Sequence, residues 1–410
     1  MIGPLDGRYK EIIKPLAEIF SEEALVGNRV KIEIKYLQAL TKKLGIETPD
    51  IKIEADFARI KEIEKETKHD VKAVEYYIRE KLKAQGLTHL IPWVHFGITS
   101  EDVNNLAQGL MLKAGSVKML DEAKRMQTEL VRLVKDGQDA VMVGRTHGQP
   151  AVPTTMGKEL LVYELQLREL WEELKNFQYR GKLTGAVGTL AAHTVAYPEI
   201  DWLEFSKNFV ESLGLRAEMV TTQILPPISY MRLFANLQHI SLLLASLAQN
   251  LWWYVSLGYF SQQVVKTEVG SSTMPQKVNP IFLENAEGNA QLAAKLFAFF
   301  VEKLSHTRLQ RDLSDSTVRR NFGVAYGHLF LALKSMQEGL GRLEINKEKM
   351  REEVLEHPEM YAEALQTLAR KEGNLEAYEM AKEKYRGKSI DKDDRVLQYT
   401  GVAEKLCTKQ

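Results

Sequence analysis

Residues 233–265 contain no Asp, Glu, Lys or Arg, in a chain where 27% of residues are charged. Asn236, Gln238, His239, Gln249, Asn250, Gln262 and Gln263 interrupt the segment, so it has no uninterrupted run of the roughly 18 apolar residues that a membrane-spanning helix needs. A helix that is apolar on most faces yet dotted with amides belongs among other helices. A single chain seldom surrounds a helix of this length, so the segment implies burial in the core of an oligomer.

The rest of the chain is consistent with that core. Gly and Pro are sparse, at 26 and 12 of 410 residues, and no stretch sustains a period of two, so the fold reads as all-α. Apolar residues recur at helical spacing over 12–44, 55–66, 71–84, 106–136, 155–179, 230–262, 284–305 and 318–343. Several of these exceed the usual helix of about 11–12 residues, and long helices with short joints make a bundle. Asp70, after the polar Thr67-Lys68-His69, is placed to cap the third helix. The break at Leu90-Ile91-Pro92-Trp93 and the charged, short-helix segment after 343 suggest three domains, 1–93, 94–343 and 344–410.

Lys+Arg and Asp+Glu are equal at 55 each, so no global charge argues for a nucleic acid or a membrane as partner. Any anion site is therefore local. The single cysteine, Cys407, excludes a disulfide framework and a cysteine-rich zinc site and suits a reducing cytoplasm. The N-terminus lacks the basic-then-apolar pattern of a signal peptide. Gly387-Lys388-Ser389 imitates the end of a phosphate-binding loop, but Lys382 stands where that loop requires glycine. No metal-ligand spacing or dinucleotide fingerprint occurs, so neither metal nor cofactor is expected.

Chemistry-bearing residues concentrate in the joints. Gly270-Ser271-Ser272-Thr273-Met274-Pro275-Gln276-Lys277-Val278-Asn279-Pro280 offers hydroxyls, a cation and an amide between two helices. On composition alone it reads equally as a substrate loop or as a polar connection. His95 precedes Thr99-Ser100-Glu101-Asp102, where Thr99 or Ser100 can cap a helix whose N-terminus is also a ready anion site. Gly144-Arg145-Thr146-His147-Gly148-Gln149-Pro150 combines cation, hydroxyl, imidazole and amide. Histidines 69, 95 and 147 suit proton transfer near neutrality, and Arg8, Lys277, Arg311 and Arg320 suit neutralisation of an anionic substrate. The residues alone lead to a proton-transfer enzyme acting on carboxylates or phosphates.

Gly270–Pro280 resembles the G-S-S-x-M-P-x-K-x-N-P loop of the fumarase/aspartase superfamily, whose members cleave C–N or C–O bonds and release fumarate. Asp6-Gly7-Arg8-Tyr9, Thr67-Lys68-His69-Asp70-Val71, Thr99–Asn105, Gly144–Pro150 and Arg311–Arg320 are similar, in order and spacing, to motifs of its adenylosuccinate lyase family. The match runs to about residue 343. The resemblance implies a three-domain fold whose central long-helix bundle forms the core of a homotetramer, with active sites shared between subunits. It also implies release of fumarate from two nucleotides, adenylosuccinate (giving AMP) and the succinylcarboxamide imidazole ribotide. By the same resemblance Ser271 is the general base, His147 the general acid, His69 a supporting histidine, and Glu284 the carboxylate that orients His147. Lys277 and Asn279 would stabilise the carbanion; Thr99, Ser100 and Gln223 would hold the succinyl group. Arg8, Tyr9, Arg311, Ser316 and Arg320 would hold nucleotide and phosphate, with Lys68, Asp70 and His95 also lining the substrate site.

Two departures stand out. Where the family reads I-E-P-H-D after the glutamine, this chain reads Ile224-Leu225-Pro226-Pro227-Ile228, and its C-terminal domain is short beside the longer members. Rival readings are another fumarate-releasing lyase, such as argininosuccinate lyase or aspartase, and a non-catalytic protein that reuses the scaffold, as some lens crystallins do. The cations at Arg8 and at 311–320 favour a phosphate-bearing substrate over the first, and the acid–base set argues against the second.

Overall fold

A computed structural model describes residues 2–263, 273, 274, 276–388 and 390–408. Helices dominate, as the periodicity requires. The N-terminal helices are α1 (Lys10–Phe20), α2 (Glu22–Lys43), α3 (Phe57–Thr67) and α4 (Asp70–Ala84). The continuous pattern over 12–44 is thus two helices, because Ser21 turns extended and its hydroxyl accepts the Ala24 N–H at 3.1 Å. That bond starts a new helix by satisfying a free donor of its first turn.

Next come α5 (Ser100–Asp136), a hairpin of β1 (Val141–Thr146) and β2 (Gln149–Thr155), and α6 (Met156–Lys175). Then follow the two-residue β3 (Arg180–Gly181), α7 (Ala191–Ala196), α8 (Trp202–Ser212) and β4 (Arg216–Ala217), which pairs in parallel with β3. Most of the uncharged segment lies in α9 (Ile228–Ser256), which begins before it and carries Arg232, and β5 (Phe260–Gln262) follows. After α10 (Ile281–Leu304), α11 (Ser314–Arg319) and α12 (Phe322–Gly341), β6 (Leu343–Ile345) pairs antiparallel with β5. Short helices close the chain: α13 (Lys347–Glu356), α14 (Ala362–Lys371), α15 (Ala377–Tyr385) and α16 (Ala403–Thr408). No described helix is long and apolar enough to cross a membrane.

The chain forms two compact units, each built from three segments. The first comprises residues 1–121, 172–239 and 292–330. Its cores are apolar: Val30, Leu37, Val74, Tyr77 and Ile78 join α2 to α4, while Ile32, Tyr36, Val103, Leu106, Trp202 and Phe209 join α2 to α5 and α8. Phe234 of α9 lies 4.8 Å from Phe322 and 5.2 Å from Phe300, ring centre to ring centre. Burying such rings contributes stability at about 25 cal/mol per Å2 of apolar surface. The second unit comprises residues 122–171, 240–291 and 331–410. There Val143 of β1 is buried with Val354, Met360 and Val396 of the C-terminal segment.

The β1–β2 hairpin is absent from the sequence reading. Its turn is His147-Gly148, with φ of 54° and 74°, between the paired Thr146 and Gln149. Two successive positive φ values define the turn that best matches strand twist in a two-residue hairpin. Pro150 and Pro153 masked the strand signal, yet they are admissible because a two-stranded sheet is all edge. Gly144 is required: a Cβ there would lie 2.4 Å from the Val152 carbonyl oxygen.

Candidate active site

In the first unit, α4 begins with His69 as its cap, not Asp70. The His69 Nδ1 accepts the Lys72 N–H at 3.2 Å, so in the neutral ring the proton sits on the exposed Nε2. Asp70 is instead the first helical residue, and one of its carboxylate oxygens meets both Arg29 Nη2 at 2.8 Å and Arg320 Nη2 at 3.3 Å. Burial raises the Asp70 pKa, but the Arg29 charge, the Val71 N–H and Arg320 outweigh it, and the group lies below the ordinary carboxylate value. Arg29, almost wholly buried, is fixed from behind by its Nε–H to Asn104 Oδ1 at 2.8 Å. Arg320 also donates to the Ser316 hydroxyl at 3.3 Å. Arg29, Asp70, Arg319 and Arg320 line one cavity of about 280 Å3.

A second ionic cluster sits beside it. Glu101, at the first turn of α5, is paired with Arg319, which also holds Asp315 at 2.7 Å and lies over the Tyr230 ring. Burial opposes the charge on Arg319, but the carboxylates of Glu101 and Asp315 more than compensate and hold its pKa well above the usual value. Arg311 Nη2 lies 3.3 Å from Glu101, and its Nη1 donates to Gln223 Oε1 at 3.1 Å. Gln223 in turn donates to the Ala186 carbonyl at 3.0 Å. The unusual residues after it have a local explanation: Leu225 is buried, and the Pro226 and Pro227 carbonyls accept the first N–H groups of α9. Apolar packing and helix entry have replaced the two polar side chains.

The loop carrying His95 and Thr99 is set from below. Thr99 is the residue before α5, and its N–H and hydroxyl both donate to Asp102 Oδ2, at 2.9 and 3.3 Å. The other Asp102 oxygen accepts from Lys182 Nζ at 2.8 Å and from the Thr184 N–H at 3.0 Å; Asp102, Lys182 and Thr184 are all buried. Ser100 opens α5 and is half-buried. His95, at φ 59°, places Nδ1 2.5 Å from the fully buried Glu33. Burial opposes a charged His95, but the Glu33 hydrogen bond and charge, with help from Glu75, raise its pKa. At Gly97 (φ 71°) a Cβ would lie 2.7 Å from the His193 ring. Tyr36 donates its only hydroxyl proton to the Phe96 carbonyl at 2.6 Å, so His193 Nε2–H donates to the Tyr36 oxygen at 2.8 Å. Burial lowers the His193 pKa. Arg8 is exposed and lies 5.9 Å from the Tyr9 ring centre, while Lys68 is the left-handed end of α3.

The second unit presents its site residues differently. His147 stands exposed at the hairpin tip, with no hydrogen-bond partner among the described residues. Lys277 is exposed, and its N–H donates to the Met274 carbonyl at 3.0 Å. Glu284, at the start of α10, accepts from Trp252 Nε1 at 3.1 Å. Asn279 is half-buried. Ser271 lies outside the described residues, as do Gly270, Ser272 and Pro275. Among the described residues no group of three or more His, Cys, Asp or Glu side chains is placed to hold a metal.

Sequence reasoning brought out His69, Asp70, Gln223, Arg311, Ser316 and Arg320, which the fold places in or beside its two ionic clusters. It assigned no role to the residues that hold them, Arg29, Glu33, Asp102, Lys182 and Arg319, although Asp102 and Arg319 lie within its motifs. Nothing in a helical pattern announces such partners except a charge on an otherwise apolar face, which Arg29 and Glu33 both show on α2.

The fold has counterparts among solved structures. It is similar to a fumarate lyase from Mesorhizobium sp. BNC1 (TM-score 0.80, 18% identity, 97% of each chain). It is also similar to a 3-carboxy-cis,cis-muconate lactonizing enzyme from Pseudomonas putida (TM-score 0.78, 18% identity, 96% of this chain and 95% of the other). Residues 50–293 match the lyase family model and residues 307–405 the adenylosuccinate lyase C-terminal model. Adenylosuccinate lyases from Legionella pneumophila (strain Corby) and Escherichia coli (strain K12) are 42% and 39% identical to this chain. The alignments cover 96% and 98% of it, and 90% and 92% of those proteins. The chain is a lyase and belongs to the adenylosuccinate lyase family.

Proposed function

We propose that the chain cleaves adenylosuccinate to AMP and fumarate, and removes fumarate from the succinylcarboxamide imidazole ribotide in the same way. The observation that carries this reading is the Asp70–Arg320–Ser316 array with Arg311 and Gln223 beside it. Those cations and amides suit a substrate that bears both a phosphate and carboxylates. Arg8, Tyr9 and Lys68 complete the nucleotide end, and Thr99 and Ser100 offer hydroxyls and helix N–H groups to a succinyl carboxylate.

In this reading Ser271 takes the proton from succinyl Cβ, and the electron pair left behind delocalises into the adjacent carboxylate. Lys277 and Asn279 stabilise that charge. The C–N bond then breaks as His147 delivers a proton to the departing nitrogen. Serine serves as a base only where a cation and amides lower its pKa with water excluded. Within the protomer Glu284 accepts from Trp252, and in this reading its carboxylate orients the His147 of a neighbouring copy. A homotetramer with shared sites supplies one. Supporting that assembly, the uncharged part of α9 exposes Leu242 and Trp253. Residues 344–410 act as the C-terminal domain, and a cytoplasmic location follows from the substrates.

The test is product analysis. Incubation with adenylosuccinate should yield AMP and fumarate in equal amounts. Turnover of argininosuccinate or aspartate, with none of adenylosuccinate, would reverse the assignment.

A further inference from the structure

The hairpin that ends in His147 is clamped at its base by residues that no part of the chemistry uses. Along β1, Val141 and Val143 pack on Val354, Leu355, Met360, Val396 and Leu397 of the C-terminal segment. Next along the strand, Arg145 reaches the same segment: one terminal nitrogen binds Glu353 of α13 and the other donates to the Tyr259 hydroxyl at 3.0 Å. Both Arg145 and Glu353 are largely buried, and Tyr259 is fully buried. Tyr259 is held in its turn. Its carbonyl accepts the Asn346 N–H at 2.9 Å, and the β5–β6 ladder that it precedes leads directly into α13.

We propose that Arg145, Glu353 and Tyr259 form a positioning clamp through which the C-terminal segment aims the His147 imidazole; this rests on the reading of His147 as the general acid. An isolated two-stranded hairpin is marginally stable at best, and His147 has no described partner of its own at the tip. The strand beneath it therefore sets the position and the Cα–Cβ direction from which Glu284 of a neighbouring copy can orient the ring. A guanidinium is suited to that task because its planar fork fixes two partners at once and thereby fixes its own orientation. A purely apolar base holds the strand by shape alone, and the ionic fork adds a directional constraint to it. Precision matters here, because a displacement of about 1 Å at a reacting group can cost about 100-fold in rate. Glu353 and Tyr259 act only through Arg145, so neither is a catalytic residue.

The experiment is a double-mutant cycle in the full-length assembly, with Glu353→Gln, Arg145→Met and the pair combined, assayed on adenylosuccinate. The clamp predicts that Glu353→Gln lowers kcat about 10-fold with KM changed by less than about 2-fold, since substrate binding is untouched. The double variant should be no worse than Arg145→Met alone, because both changes remove one device. Glu353→Asp should recover part of the loss. Lys347→Ala, which breaks the exposed Lys347–Asp139 pair on the same helix, should leave kcat unchanged. Hydrogen exchange of residues 141–155, which needs no substrate, should accelerate in Glu353→Gln and not in Lys347→Ala. Should Glu353→Gln fail to fold, Tyr259→Phe takes its place in the cycle. Full kcat with unchanged exchange, or losses that multiply in the double variant, would overturn the clamp. Failure of the wild type on adenylosuccinate would overturn the substrate assignment instead and leave the exchange result to decide the clamp.

Discussion

The two units carry their site residues in opposite ways. In the first, the groups assigned to the succinyl or phosphate end are mostly tied into buried networks: Asp70 to Arg29, Arg311 to Glu101, Thr99 to Asp102 and Lys182. In the second, His147 and Lys277 stand exposed on turns, and Glu284 accepts a tryptophan N–H. Under the proposed function, binding groups preorganised within one protomer and chemical groups presented outward are what the proposed site, completed by assembly, would require. Preorganisation also explains why so many carboxylates sit among the arginines. Cations fixed before substrate arrives lose little freedom on binding it.

The contrast can be broken by substitution. Asp102→Ala leaves Lys182 buried without its carboxylate and should destabilise the protein by about 3–5 kcal/mol, read as a lowered urea midpoint. His147→Ala should do the reverse: turnover falls about 100- to 10,000-fold, while stability from the urea midpoint stays within about 0.5 kcal/mol of wild type because the residue is exposed. A stability loss in His147→Ala comparable to that in Asp102→Ala would erase the distinction. Arg320→Ala, with its Asp70 partner retained by Arg29, should raise KM about 10-fold with a smaller change in kcat, as for a lost charge-assisted contact.

A further effect concerns pH. The folded state raises the His95 pKa beside Glu33, so that pair's contribution is full below the unfolded histidine value of about 6.5 and is lost as pH rises through the raised value. The buried His193 works with the opposite sign: its lowered pKa costs stability as pH falls below about 6.5. Because His193 is common to both proteins, the difference between wild type and His95→Gln isolates the His95 contribution. That stability gap should be about 1–3 kcal/mol at a pH of about 5.5 and should shrink on the alkaline side. A gap that widens with pH would show that Glu33 does not hold a charged imidazole.

Much of this was legible in the sequence, and the limits have physical causes. The helical period over residues 230–262 anticipated α9, and the candidates Asp70, Gln223, Arg311, Ser316 and Arg320 meet in the ionic clusters, whereas Arg29 was not among them. Ser21 hid a helix break because a capping serine leaves the apolar period nearly unbroken. The β1–β2 hairpin was hidden by its prolines and by a His-Gly turn that lacks the familiar Asn-Gly signature. Asp70 looked like a cap because it follows polar residues, but an imidazole nitrogen can accept the same N–H, which frees the carboxylate for Arg29 and Arg320. Partners such as Lys182 and Asp102 lie far apart in sequence, and only the fold brings them within 2.8 Å.

Subunit complementation tests the central claim most directly. Ser271→Ala and His147→Ala are each made, shown to be inactive and assembled, then mixed under conditions where exchange of subunits is verified by mass. Sites that draw their acid and base from different copies predict recovered release of fumarate from adenylosuccinate in the mixed assemblies. Verified mixed assemblies that stay inactive would contradict a site shared between subunits.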